Sequence, residues 1–391
     1  MRVALFTDTY APQVNGVVSY LDTIIPQLSK KNPLILFAPG DVKKIKKERK
    51  AKNFHIYWIP ASSFPFYEGY RMSKVAVRSI EKILKEEKID IVHAHAPVLL
   101  GLQGMLIAKK MKLPIVATYH THLPDYLPYL LDGKFPGFVN SISQKTAKGL
   151  IKFVYSMADV STAPTNELVK ELKKYGIKNA RRLINGIDLK ALKSSRDNVE
   201  KIRKRYSISA NKKIILYVGR IGFEKRLEVL FNSMKRLKSK DCCLLVVGSG
   251  PQLENYKELV QDKGLKNVIF TGYIEKELLP ATYESAQVFV SASDSETFGL
   301  TFIEAMAMGT PVIGVNKLGP RELIVDCECG YLIRPGSVKE MSEKIDKILK
   351  DPKLRLRMSI KAKERAAEFS IQESLRETLE IYNQIKKKKE E

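Results

Sequence analysis

The feature that most constrains this chain is a recurring alternation of short apolar runs with longer helical patterns. "RVALFTD" (2–8), "PLILFAP" (33–39), "FHIYWIP" (54–60), "DIVHAHA" (90–96), "PIVATYH" (114–120) and "DVSTAP" (159–164) read as short strands. They are apolar almost throughout, the pattern of a parallel sheet buried on both faces. Helical spacing, as in "MSKVAVRSIEKILKEEK" (72–88), fills the intervals. After a charged stretch at about 190–212 the cycle restarts with "KIILYVGR" (213–220), "CCLLVVGSG" (242–250), "NVIFTGY" (267–273), "VFVSASD" (288–294) and "TPVIGV" (310–315). The expectation is an α/β chain with two open sheets in series. From about residue 337 three amphipathic segments predict C-terminal helices, and no short repeat is present.

A length of 391 residues agrees with two cores. No apolar run reaches the roughly 18–20 residues a membrane-spanning helix needs, and the N-terminus reads as a strand and loop. The expected location is therefore cytoplasmic. Cysteines at 242, 243, 327 and 329 lack zinc-ribbon spacing and are expected as reduced thiols. Lys and Arg outnumber Asp and Glu by 67 to 43, a net charge of +24, with much of the excess in 41–53 and 385–391. Nucleic acid, an anionic membrane or a phosphorylated small molecule could exploit that field; a lysine-rich solvated surface explains it equally well. The cations do not interleave with stacking aromatics, and no nucleic-acid-binding motif is present.

Ligands of open α/β sheets sit beyond the carboxyl ends of strands. The segments there are Thr7–Gly16, His93–Pro97, His120–Tyr126, Gly219–Lys225, Gly248–Pro251 and Ser291–Glu304. In "YVGRIGFEKRLEVLF" (217–231), Arg220 and Lys225 stand between a strand end and a helix start, a setting that suits a diphosphate or simply holds two surface cations. Asn15–Gly16 is a close-approach point for a ligand or an ordinary strand-to-helix turn. Gly-x-Gly-x-x-Gly and the Walker A pattern are both absent. In "SETFGLTFIEAMAMGTPVI" (295–313), Glu296 precedes a helix and Glu304 lies inside it among apolar neighbours. A carboxylate there is costly unless it accepts hydrogen bonds, which sugar hydroxyls could donate. The bland alternative is a helix-dipole carboxylate and a chance exposed one. Five histidines lie in the first 122 residues, including His93-x-His95 and His120-x-His122, without an evident third metal ligand.

Taken together these stretches resemble the retaining glycosyltransferases of family 4, of GT-B fold. Glu296-x7-Glu304 matches their signature. "FTDTYAPQVNGVVSYL" (6–21), "VHAHAP" (92–97), "ATYHTH" (117–122), "LINGIDL" (183–189) and "YVGRIGFEK" (217–225) match further motifs in order, so the resemblance covers nearly the whole chain. It implies two Rossmann-like domains whose parallel sheets face across a cleft. Residues 1–192 would bind the acceptor, with a last helix 371–391 packed back on them, and residues 193–370 would bind a nucleotide-sugar, a UDP- or GDP-hexose. It implies catalytic roles for Glu296, His120, Arg220 and Lys225. Arg220 and Lys225 would neutralise the leaving diphosphate, Glu296 would hold the donor sugar and Glu304 the ribose. Phe298, Gly299 and Leu300 would offer backbone groups, Gly16 would admit the phosphate, and His120 would lie near the reacting carbon. No tightly bound cofactor and no metal is implied. Two positions depart from the family pattern: Leu318 in "KLGPRE" (317–322) and Arg226 after Lys225, where glycine is common.

"YHTHLPDYLPYL" (119–130), with His120, Thr121, Asp125 and Tyr126, resembles the branch that glycosylates lipids such as diacylglycerol or phosphatidylinositol. The expectation is an α-glycoside-forming hexosyltransferase, peripheral on the inner face of the cell membrane, with an anionic surface and a lipid acceptor as partners. Contacts are expected from 64–78 and 143–155. A transferase acting on a soluble sugar or polysaccharide precursor is the rival within the family.

Overall fold

The computed structural model describes residues 1–63, 71–120, 122 and 137–390, with side chains described for all of these but 137–144 and 390. The chain divides into two units, Met1–Gly186 with Ile371–Glu391, and Ile187–Ser370. The division lies a few residues before the boundary read at 192. Ile187 belongs to the second unit because its N–H donates to Phe369 O (3.0 Å) and it bridges to Ser370.

The first unit contains β1 (Val3–Thr7), β2 (Leu34–Gly40), β3 (Lys46–Ala51), β4 (Phe54–Ser63), β5 (Arg71–Ser73), β6 (Ile91–His95), β7 (Ile115–Thr118), β8 (Val160–Ala163) and β9 (Ala180–Arg182). The order is β3-β4-β2-β1-β6-β7-β8-β9, with β5 on β4. β1 pairs in parallel with β2 from Val3↔Leu34 and with β6 from Val3↔Ile91, and every residue of β1 is buried. β3 and β5 run antiparallel to β4. The charged run read as solvated surface thus contains a strand. β3 is an edge strand exposed at almost every position, and its Lys and Arg side chains discourage pairing with another chain.

Helix Gly16–Lys31 begins under an Asn15 cap, whose Oδ1 accepts from Val17 N (3.0 Å) and Val18 N (3.1 Å). Tyr20, Leu21, Ile24, Ile25 and Leu28 pack in one cluster with Ile371, Ile381, Tyr382 and Ile385 of the terminal helix Ile371–Glu390. That helix is held at its polar face too: Ile184 N donates to Glu377 (3.0 Å), and Lys386 and Lys389 pair with Asp90 (3.5 Å) and Asp159 (3.3 Å). Asp8, directly after β1, accepts from the N–H groups of Val98, Leu99, Leu100 and Gly101 at 2.7–3.0 Å. One carboxylate thereby satisfies the orphan donors at the start of helix Leu100–Lys110.

The second unit contains β10 (Lys213–Val218), β11 (Cys242–Val247), β12 (Val268–Gly272), β13 (Val288–Val290), β14 (Val312–Val315) and β15 (Gly330–Ile333), in the order β12-β11-β10-β13-β14-β15. All pairs are parallel. The four cysteines are free, with Cys242, Cys243 and Cys329 buried. In each unit the strand order reverses beside the first strand: between β1 and β6, and between β10 and β13. Such switch points open a crevice at the carboxyl edge, where loops from opposite directions diverge.

Candidate active site

In the second unit, loops after β10 and β13 meet at the switch point. Glycine is required at Gly248, after β11, where φ is +129° and a Cβ would lie 2.0 Å from Gly219 O. This close approach brings the end of β11 against Gly219–Arg220. Arg220 Nη1 donates to Glu224 Oε1 at 2.9 Å, and Glu224 is buried. Ser293 Oγ, on the β13 loop, donates to Glu224 O at 3.1 Å. Lys225, at the end of the short 3-10 turn Phe223–Lys225, donates from Nζ to Glu296 Oε2 at 2.7 Å. Each expected cation therefore faces a carboxylate of its own. Side-chain exposures of 15% and 22% leave the Lys225–Glu296 pair open to a ligand that is a better partner for the lysine.

Gly299 adopts φ +97°, ψ +64° and leads into helix Leu300–Ala307 without a side-chain cap. The helix start therefore offers N–H groups to an anion or a hydroxyl. Phe298 is buried edge-on against Phe369 (5.8 Å), which fixes the backbone ahead of the glycine. Half-buried Glu304 accepts from the Tyr283 hydroxyl at 2.6 Å. The hydrogen bond that its apolar surroundings demand is thus supplied partly by the protein itself. Burial pushes the Glu304 carboxyl above its usual range, against the lowering effects of Tyr283 and Lys276.

Both departures from the family pattern sit on left-handed backbone: Arg226 has φ +52° and Leu318 has φ +49°. The turn that glycine makes easily is kept here at a strain of about 1–2 kcal/mol for each residue. Beside Leu318, Gly319 N donates to Glu296 O (2.9 Å), and a Cβ on Gly319 would lie 2.3 Å from Phe298 O. The backbone of the Glu296–Phe298 loop is therefore clamped in place.

Gly16 and His120 belong to the first unit. Gly16 opens its helix at an exposed position, and a Cβ there would meet nothing within 4 Å. The local fold does not itself demand glycine. His120 is buried beyond the end of β7, its Nε2 3.0 Å from His95 Nδ1 and its Nδ1 3.4 Å from Asn185 Nδ2. His93 lies behind, bonded to Tyr382 OH (2.7 Å) and Thr118 Oγ1 (2.6 Å). Burial holds the His93 and His120 pKa values down to about 3, and that of His95 well below the ordinary value. The sequence spacing paired His120 with His122, but β7 ends at Thr118, and the alternation of sides ends with it. His122 instead meets Glu171 at 2.9 Å. Thr121, Asp125 and Tyr126 lie outside the described residues. Among the described residues no group of three or more His, Cys, Asp or Glu is arranged to hold a metal ion.

Glu224, Tyr283, Asp294 and Asn185 were not singled out from sequence. Glu224 had a signal, since it stands four residues after Arg220. Tyr283 had none: it reaches Glu304 from a separate helix, Leu279–Glu284.

Residues 14–191 match the family model described as Glycosyltransferase Family 4, and residues 198–365 match that of Glycosyl transferases group 1. The chain is 34% identical over 344 residues to an alpha-monoglucosyldiacylglycerol synthase of Streptococcus pneumoniae, spanning 85% of this chain and 75% of that protein. It is 29% identical to a GDP-mannose-dependent alpha-mannosyltransferase of Corynebacterium glutamicum, over 87% and 78% of the two chains. The solved sucrose-phosphate synthase of Thermosynechococcus elongatus superposes with a TM-score of 0.80 at 20% identity, covering 98% of each chain, and so shares the fold. Two switch points, an ordered set of motifs and this similarity along both units agree: the chain belongs to the family 4 glycosyltransferases, of GT-B fold.

Proposed function

We propose that this glycosyltransferase moves a hexose from a nucleotide-sugar, of UDP-glucose or GDP-mannose type, to a membrane lipid such as diacylglycerol, forming an α-glycoside. The observation that carries the donor half is the Lys225–Glu296 contact at 2.7 Å beside Arg220, at the switch point of the second unit. A diphosphate replaces Glu296 as the partner of Lys225, and Arg220 adds a second cation. Charge developing on the leaving group is then met by preorganised donors. Glu296, released from the lysine, accepts hydroxyls of the hexose. Glu304, steadied by Tyr283, takes the ribose hydroxyls. Phe298, Gly299 and Leu300 present backbone groups of the helix start. The bond from the sugar carbon to the phosphate breaks, the bond to the acceptor oxygen forms on the same face, and the leaving phosphate takes the acceptor's proton. In the first unit the family resemblance assigns roles to His120, held by His95 and Asn185, and to Gly16.

The lipid half is supported by the diacylglycerol named for the pneumococcal relative and by one helix. Helix Gly137–Ser156 buries Ala147, Ile151, Val154 and Tyr155, while Lys145, Lys148 and Lys152 are exposed beside Leu150 (46% exposed) and Phe153 (57%). Outward apolar groups flanked by lysines suit an anionic lipid surface. No helix among the described residues is long and apolar enough to cross a membrane. The reading is a peripheral enzyme at the inner face of the cell membrane.

The test is transfer from UDP-glucose, UDP-galactose and GDP-mannose, with and without anionic vesicles containing diacylglycerol, beside Glu296→Ala and Lys225→Ala. Turnover that needs vesicles and falls about a hundredfold or more in both variants is expected. Turnover indifferent to lipid moves the acceptor to a soluble sugar, and silence with every donor rejects the reading.

A further inference from the structure

We propose that Arg226 and Asp294 form a positioning pair for the Lys225–Glu296 contact, holding the lysine where the donor diphosphate meets it; this rests on the donor-binding reading above. The observation is a residue that occupies a costly conformation and makes two ion pairs from it. Arg226 lies between the 3-10 turn and helix Leu227–Arg236 at φ +52°, ψ +44°. Arginine has no backbone advantage there, and the left-handed region costs it about 1–2 kcal/mol that glycine avoids.

The side chain accounts for its presence. Nη1 donates to Asp294 Oδ2 at 2.8 Å, and Nε lies 3.7 Å from Glu228 Oε1. Nη2 is 3.3 Å from where a Cβ on Gly336 would stand, and Gly336 is itself left-handed at φ +73°. The guanidinium therefore joins its own loop after β10 to the Asp294 loop after β13, and lies beside the Gly336 loop after β15. Its planar fork suits such bridging better than an ammonium would.

Lys225 and Arg226 are consecutive, and Asp294 and Glu296 are two apart, so two ion pairs join the same two loops side by side. A single contact between loops leaves them free to pivot, whereas two fix their rotation. The need arises from Lys225, whose four-carbon stem has many rotamers. It arises again on binding, when the diphosphate takes the ammonium and Glu296 loses its partner. From then on Arg226–Asp294 keeps the loops in register. With side-chain exposures of 33% and 24%, that pair is shielded from full solvent screening.

The deciding variant is Arg226→Gly, which removes the guanidinium while easing the backbone, so that misfolding does not mimic the effect. Donor turnover is measured in the wild type, Arg226→Gly, Asp294→Asn, Lys225→Ala and the double variant Arg226→Gly/Lys225→Ala. Loss of register lowers kcat about tenfold or more in Arg226→Gly and Asp294→Asn, with donor KM changed by less than about threefold. In the Lys225→Ala background, Arg226→Gly then changes kcat by less than about twofold, because its target is gone. A wild-type kcat in Arg226→Gly, or a full additive loss in the double variant, overturns the proposal. If the wild type turns over no donor, the enzymatic reading fails by itself. The pair is then read from the Lys225 Nζ resonance in NMR spectra of wild type and Arg226→Gly: an unchanged resonance overturns it, and a shifted or broadened one supports it.

Discussion

Glu304 shows how much one side chain can be read from its neighbours. Its place among Ile303, Ala305 and Met306 announces a carboxylate that must be compensated. The compensation comes from the Tyr283 hydroxyl at 2.6 Å, a partner with no spacing signal because it stands on another helix. Tyr283→Phe should therefore lower stability by about 1–2 kcal/mol in urea unfolding, the cost of a half-buried acceptor left without its donor. It should also weaken nucleotide-sugar binding, since the carboxylate is no longer oriented. An unchanged midpoint and affinity would show that water replaces the phenol. Lys225 and Glu296 differ from this case. Their residue types marked them as candidate site groups, but their mutual contact was not legible, because no local rule brings residues from two separate strand-end loops together.

At the scale of elements, β6, β7 and the terminal helix converge on three buried imidazoles. His93 bonds Tyr382 of that helix, and His95 bonds His120. Burial lowers the pKa of His93 and His120 to about 3, against about 6.5 in an unfolded chain. Between those values the unfolded state binds more protons, so this contribution to stability is complete above about pH 6.5 and is lost progressively as pH falls toward 3. The carboxyls contribute slopes of their own, so the comparison is internal. The urea midpoint of His93→Gln should fall less between pH 7 and pH 5 than that of the wild type, and parallel slopes would rule out the imidazole as the cause. The helical nature of residues 371–390 was legible from their spacing. Their membership of the first unit follows from Ile381, Tyr382 and Ile385 filling one cluster with the Gly16–Lys31 helix, a complementarity of shape that periodicity does not encode.

At the scale of the molecule, the net charge of +24 is a property of the whole surface, but its use is local. β3 spends lysines guarding a sheet edge, whereas Lys145, Lys148 and Lys152 stand beside exposed Leu150 and Phe153. If that second set meets lipid, Lys148→Glu/Lys152→Glu should reduce co-sedimentation with anionic vesicles at least about tenfold, since each basic residue near such a surface is worth about 1 kcal/mol. Wild-type binding should weaken steeply between about 0.05 and 0.5 M salt as the Debye length shrinks. Reversing two lysines of β3 serves as the control, and equal loss in both variants would make the attraction general to the surface.

The sequence by itself determined the α/β class, the two sheets in series and the strand ends that carry the candidate site residues. Short apolar runs rich in β-branched residues, alternating with helical patterns, fit a parallel sheet buried on both faces, and loops beyond its carboxyl edge are where polar residues escape the core. It did not disclose β3, because a strand whose side chains are charged on both faces carries no hydrophobic alternation. Nor did it disclose that Leu318 and Arg226 keep turns at which glycine is common, since backbone handedness is set by surrounding contacts as much as by residue type. Only the tertiary structure decided the pairs Arg220–Glu224, Lys225–Glu296, Arg226–Asp294, Tyr283–Glu304 and His95–His120. All but the first join separate elements. Strand order, which follows from crossover and packing rather than from local spacing, set which loops became neighbours.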